Sequence, residues 1–98
     1  MIKADLIDRI NSLREQINEL QQIIDSSLDE KQHIAEFIKK YSVEITVETK
    51  LNFGKVLTKL DETISCARIF KEDIQRELDE CVNILGNFYN SLVHIEVD

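Results

Sequence analysis

Few side chains in this sequence are of types and spacings that could do chemistry. Glu30 and His33 stand three apart, the Glu-x-x-His spacing with which helical bundles hold paired iron ions, because residues three apart share a helix face. That site needs a second Glu-x-x-His and further inward-facing Glu residues, which the sequence does not supply. Glu30 and His33 also flank the apolar seam described below rather than occupying it. His94, near the C-terminal end, reads as a surface histidine. Cys81 falls in a helical seam and reads as a small apolar core residue. Cys66 falls outside the seam and reads as an exposed thiol, with no His or other base beside it to activate it. The two cysteines are 15 residues apart on one expected helix, about 22 Å by helical rise, too far to bridge, so reduced thiols are expected. There is no glycine-rich phosphate loop, no Cys-x-x-Cys pair and no defensible Ser-His-Asp set. The sequence therefore reads as non-enzymatic, with no catalytic residue, metal ligand or cofactor expected.

The elements that would position any functional surface are helices. The 98 residues contain no Pro and no Trp, and only two glycines, Gly54 and Gly86. The rest is rich in Ile, Leu, Glu, Lys and Gln, which favour helix. The formal net charge is -7, and most of it lies after Lys71, where Glu72, Asp73, Glu77, Asp79, Glu80, Glu96 and Asp98 face Arg76 alone. The acidic patch Glu72, Asp73, Glu77, Asp79 and Glu80 reads first as a solvated helix face. Such a field repels phosphate and anionic lipid, so direct nucleic-acid binding and membrane-surface binding are not expected. No run of 18 apolar residues and no secretory-signal pattern is present, so no membrane span is expected and folding in the cytoplasm follows.

From Leu6 the apolar residues recur in alternating steps of four and three: Leu6, Ile10, Leu13, Ile17, Leu20 and Ile24, then Ser27 and Lys31, then Ile34, Ile38 and Tyr41. This is a heptad seam, with Ile at a and Leu at d in its first half. A second seam runs Phe53, Leu57, Leu60, Ile64, Ala67, Lys71, Ile74, Leu78, Cys81, Leu85, Phe88, Leu92 and Ile95. Between them Val43, Ile45 and Val47 alternate with polar residues, as in a strand. The segment reads either as an extended connector or as helix continuing to Asn52, with Gly54 as a break. The expected organisation is one helical-hairpin domain: a helix over 3–41, a connector over 42–54, a helix over 55–92, and a tail over 93–98 that frays or forms a short strand.

The fold class is thus all-α, two long helices in an antiparallel coiled-coil hairpin that associates into a four-helix bundle. In that hairpin Leu6 is expected near Leu92 or Ile95, and Lys31 near Ala67 and Lys71, so that Lys31 and Lys71 form one polar layer. The layer either snorkels to Asp29, Glu30, Glu72 or Asp73, or fixes register. Ile at a with Leu at d also suits a parallel dimer of extended helices. Further apolar residues flank the seams: Ile7, Ile23, Leu28, Ala35 and Phe37 on the first helix, Val56, Phe70, Val82, Ile84 and Tyr89 on the second. Two helices bury only a narrow stripe, so this wider face calls for a protein partner, as a homodimer or a heteromeric helical complex.

Asn52-Phe53-Gly54, placed between two expected helices in a chain of this length, resembles the layout of the small helical-hairpin proteins of type VII secretion, the WXG100 family and the partners of LXG-type toxins. Phe53 stands where that family has Trp, Gly54 follows it immediately rather than two residues on, and the family's tyrosine followed four residues later by an acid is missing. The resemblance implies a partner that binds the helices of a secreted protein, not an independently exported one.

The leading functional expectation is a helical interaction module: an adaptor, chaperone or assembly component. The alternatives are an acidic inhibitor or nucleic-acid mimic that presents residues 72–80 to a basic site, and the toxin partner just described. The seam carries its own test: Leu20→Asp or Ile74→Asp should unfold or dissociate the protein, since an unpaired charge in a seam costs several kcal/mol, whereas Glu62→Gln should change stability by less than about 0.5 kcal/mol. Equal melting temperatures for the two classes of variant would mean that the buried face is misassigned.

Overall fold

A computed structural model describes residues 3–97, with side chains described over 3–90. The chain is an all-α helical hairpin of two helices, α1 (Lys3–Lys40) and α2 (Val47–Val97), with no strand among the described residues. Helix α1 ends one residue before the expected position 41.

Helix α1 carries Lys39 and Lys40 in its last turn, cations suited to the negative end of the helix dipole. The Tyr41 N–H still donates to the Phe37 carbonyl at 3.0 Å, and the Tyr41 carbonyl then accepts from the Glu44 and Ile45 N–H groups, each at 3.0 Å. The orphan carbonyls of the helix end are thus partly satisfied inside a tight turn. Thr46 starts α2. Its Oγ1 accepts from the Thr49 N–H at 3.1 Å and bonds the Thr49 hydroxyl at 2.9 Å, while its carbonyl accepts the first helical bond from the Lys50 N–H at 3.0 Å. That is the geometry of an N-cap, reinforced by Glu48 in the first turn.

The connector is therefore residues 41–46, not 42–54, and α2 begins at Val47 rather than near 55. Val43, Ile45 and Val47 alternate in type but make no strand: Val43 and Val47 are 97% and 75% exposed and have no sheet to join. Gly54 does not break the helix. Its φ is not positive, and open space surrounds the position of its missing Cβ. Residues 93–97, expected to fray or turn to strand, continue α2 to Val97; Asp98 lies outside the described residues.

The chain divides into two compact units. The turn unit, Leu20–Phe70, centres on Ile24, Ile64 and Ala67, with Leu20 packed against them. Farther toward the turn, Lys31 reaches Asp61 at 2.5 Å, and the Phe37 ring meets that of Phe53 edge-on at 5.7 Å. The order of these pairs shows the helices running antiparallel. In the terminal unit, Met1–Glu19 with Lys71–Asp98, the buried residues are Leu6, Ile10 and Leu13 from α1 and Ile74, Leu78 and Cys81 from α2. Leu13 is wholly buried, and burying a leucine of that kind contributes about 1.5–3 kcal/mol. The same unit pairs Arg9 with Glu77 and sets Lys3 4.4 Å from the centre of the Tyr89 ring, again antiparallel.

These pairs correct the expected register. With a shorter connector, each α1 residue meets a part of α2 roughly two turns nearer its start. Leu6, lying between Lys3 at Tyr89 and Arg9 at Glu77, faces the stretch between those two residues rather than Leu92 or Ile95. The side chains of Leu92 and Ile95 lie outside the described residues, as does that of His94.

The Thr46 cap and Gly86 give separable stability tests. Thr46→Ala should cost about 1 kcal/mol in urea unfolding through loss of the cap. Gly86→Ala should gain about 0.5–1 kcal/mol, because the position is helical and a methyl meets nothing within 4 Å.

Candidate interaction surface

Every seam position is buried or half-buried among the described side chains except Phe88, which is 43% exposed. The flanking apolar residues behave differently. In an antiparallel pair, g positions of one helix face g positions of the other and e positions face e; the Arg9–Glu77 pair, g to g, follows this rule. In the turn unit Ile23, Phe37, Val56 and Phe70 therefore share one edge, at 45%, 46%, 40% and 55% exposure, and Leu28 lies on the other at 42%. In the terminal unit Val82 and Tyr89 share an edge with half-buried Ile7, while exposed Ile84 lies on the opposite edge. What the sequence presents as one wide face is, within each unit, two apolar edges.

The structure adds exposed apolar residues that the periodicity does not single out, Leu51 and Ile69, at 64% and 61%. Leu51 is hidden by the connector assignment. Ile69 stands on the outer face of α2, where only its contrast with polar neighbours could mark it. Leu51 and Gly54, with Lys50, Lys55, Thr58, Lys59 and Glu62, line a shallow surface depression on the first half of α2. Asn52, Phe53 and Gly54 lie within α2 rather than between helices.

The polar layer does not form as expected. Lys31 belongs to the turn unit and pairs with Asp61, not with the neighbouring Asp29 or Glu30, whereas Lys71 belongs to the terminal unit. The Lys31 and Asp61 side chains are 41% and 56% exposed, so solvent screening limits the pair to about 1 kcal/mol at most. Its effect is on register: it lets a lysine occupy an a position by turning its ammonium outward. Ser27, also in the seam, is buried, and no buried side-chain polar atom among the described residues lacks a hydrogen-bond partner.

The acidic patch is partly committed within the chain. Glu77 accepts from the Arg9 guanidinium at 2.5 and 3.0 Å, Asp73 pairs with Arg76, and Asp79 accepts from the Gln75 amide at 3.0 Å. Glu72 and Glu80 are exposed. Of the residues first considered for chemistry, His33 lies 3.9 Å from Asp29 with both side chains about 70% exposed, so it faces water rather than a site. Cys81 is buried and Cys66 exposed, both as free thiols. No group of three or more His, Cys, Asp or Glu among the described residues is arranged to hold a metal ion, and no described helix is long and apolar enough to cross a membrane. Comparison with known protein families, characterised proteins and solved structures finds no match to this chain.

The register has a direct check. With Cys66 and Cys81 replaced by Ala, cysteines introduced at positions 31 and 61 should crosslink within one chain using a short reagent at low protein concentration. Crosslinking of 31 to 31 between chains instead would require parallel helices.

Proposed function

We propose that this protein is a non-enzymatic helical interaction module, an adaptor, chaperone or assembly component that acts in the cytoplasm by burying apolar helix edges against another helical surface. The observation that carries the reading is the exposure of large apolar side chains along edges of both units, Ile23, Phe37, Val56 and Phe70 in one and Val82, Ile84 and Tyr89 in the other. Single exposed apolar residues need no explanation, but rows of them beside a closed seam mark a surface that gains free energy when covered. A hairpin also suits this work: the a and d side chains hold the scaffold together and leave the e and g positions available for a partner.

The acidic-inhibitor reading has less support, because Asp73, Glu77 and Asp79 already have partners in the chain. The partner of a type VII secretion toxin is a narrower version of the leading proposal, since it would use the same exposed edges.

Combining Phe37→Ser with Val82→Ser should abolish most binding of an environment-sensitive hydrophobic dye and of the protein's partner, while circular dichroism stays helical. Partner binding should respond weakly to added salt. Steep loss of binding with salt, together with indifference to the two serine substitutions, would favour the acidic mimic instead.

A further inference from the structure

The shallow depression on the first half of α2 lies wholly within the turn unit, Leu20–Phe70. Its floor is largely apolar. Leu51 is 64% exposed there, the Thr58 hydroxyl is turned back to donate to the Gly54 carbonyl at 3.0 Å, and nothing stands within 4 Å of the missing Cβ of Gly54. A glycine so placed lets another chain come close to the helix backbone. By helical rotation Lys50 borders this strip on one side, and Lys55 and Lys59 border it on the other. The strip follows the helix over residues 50–59, about 14 Å, and its shallowness suits a second helix laid alongside better than an enclosed small molecule.

Arg9, Lys31 and Arg76 each pair with a carboxylate, whereas among the described residues Lys50, Lys55 and Lys59 make no ion pair within the chain. Lys55 and Lys59 are also one turn apart, where like charges repel, and an anion placed between them would offset that repulsion. The other charges on this face bound the cationic stretch. Asp61 is taken by Lys31, Glu62 ends the lining beyond Lys59, and Glu48 stands two turns before Lys55. A complementary partner therefore carries its carboxylates at the middle of the contact and not in a long run. The unit itself is nearly neutral, since residues 20–70 hold seven Lys or Arg and eight Asp or Glu. Most of the chain's net charge of -7 lies outside it, so the face does not carry the field that repels anions.

We propose that this depression docks an acidic amphipathic helix of a protein partner, with its apolar side chains over Leu51 and Gly54 and two carboxylates, one turn apart, beside Lys55 and Lys59. Lys50 takes a further carboxylate on the opposite side of the apolar strip. The methylene stems of the three lysines add to the apolar contact while their ammonium groups stay at the rim. A phosphate backbone or a lipid headgroup surface presents continuous negative charge, which would meet Glu48 and Glu62 as well. The contact is separate from the apolar edges proposed above and goes beyond that reading, since neither Phe37 nor Val82 belongs to it.

Fluorescence anisotropy with the full chain tests this. The probe is a labelled, end-capped helical peptide of Ala and Gln that carries two Leu one turn apart and, on the adjoining face, two Glu one turn apart. Saturable binding is expected, weakened about tenfold or more when both Glu of the peptide become Gln, or when Lys55→Glu and Lys59→Glu are combined in the protein. Gly54→Gln should weaken it similarly without changing the charge, because the new side chain fills the floor, while circular dichroism stays helical. Added salt should weaken binding. No saturable binding up to about 1 mM protein, or binding indifferent to the Gln peptide or to the lysine and glycine variants, overturns the proposal. So does lysine-dependent binding of phosphatidylglycerol vesicles or of a DNA duplex without binding of the peptide, which would assign the lysines to phosphate. Phe37→Ser with Val82→Ser should leave the peptide bound, and its release would place the peptide on the apolar edges and overturn this contact. Lys55→Glu with Lys59→Glu should in turn leave the hydrophobic dye bound, so the two readings fail separately.

Discussion

The hairpin depends on one contact repeated along its length, the insertion of a and d side chains of α1 between those of α2. Leu6, Ile10 and Leu13 of α1 and Ile74, Leu78 and Cys81 of α2 are buried in one unit, and Ile24 packs with Ile64 and Ala67 in the other, removing apolar surface from water where neither helix alone could. Two helices can bury no more than this stripe, so the structure has no deep interior. Its polar interactions are correspondingly peripheral: the Arg9–Glu77 and Lys31–Asp61 pairs sit half in solvent and contribute modestly. Their effect is to select among the registers that a repetitive seam would otherwise allow, since a slide by one heptad keeps apolar against apolar but separates each cation from its carboxylate.

The turn sets which register is chosen. A connector of six residues, closed by the doubly accepting Tyr41 carbonyl and by the Thr46 cap, fixes where α2 begins and so which α2 residue each α1 residue meets. Here the sequence is harder to read. The seams themselves are legible, because a hydrophobic period maintained from Leu6 to Tyr41 and from Phe53 to Leu85 reflects burial directly. The caps are less so. Thr46 followed three residues later by Thr49 is a weaker signal than a threonine followed by an acid or amide, and the β-branched run Val43, Ile45 and Val47 draws attention to strand propensity. Gly54, a break by residue type, is an ordinary helical residue with space around it. A late start for α2 matches Lys31 with Lys71 instead of Asp61, so one local error propagates into the only long-range polar contact that the sequence suggests.

The surface is legible as a set of residues but not as a shape. Periodicity identifies Ile23, Phe37, Phe70, Val82, Ile84 and Tyr89 as flanking the seam, and all of them are exposed. It separates the e edge of each helix from its g edge, but it does not say which edges of the two helices adjoin, because that needs the direction of the partner helix. Arg9, Ile23, Phe37, Phe70, Glu77 and Ile84 are at g positions and Leu28, Val82 and Tyr89 at e positions, and antiparallel pairing sets g beside g and e beside e. The buried seam and the exposed apolar residues thus occupy different positions of the same repeat.

The central claim is that the seam closes within one chain and leaves the flanking rows for a partner. Isotope-filtered nuclear Overhauser spectroscopy on an equimolar mixture of labelled and unlabelled protein tests it most directly, through the methyl groups of Ile24, Ile64 and Ala67, which form one buried cluster. Contacts from Ile24 to Ile64 and Ala67 should appear only within a labelled chain and persist on dilution. If those contacts are found only between labelled and unlabelled chains, or if Ile24 instead contacts Ile24 of another chain, the helices pair between molecules and the hairpin account is wrong.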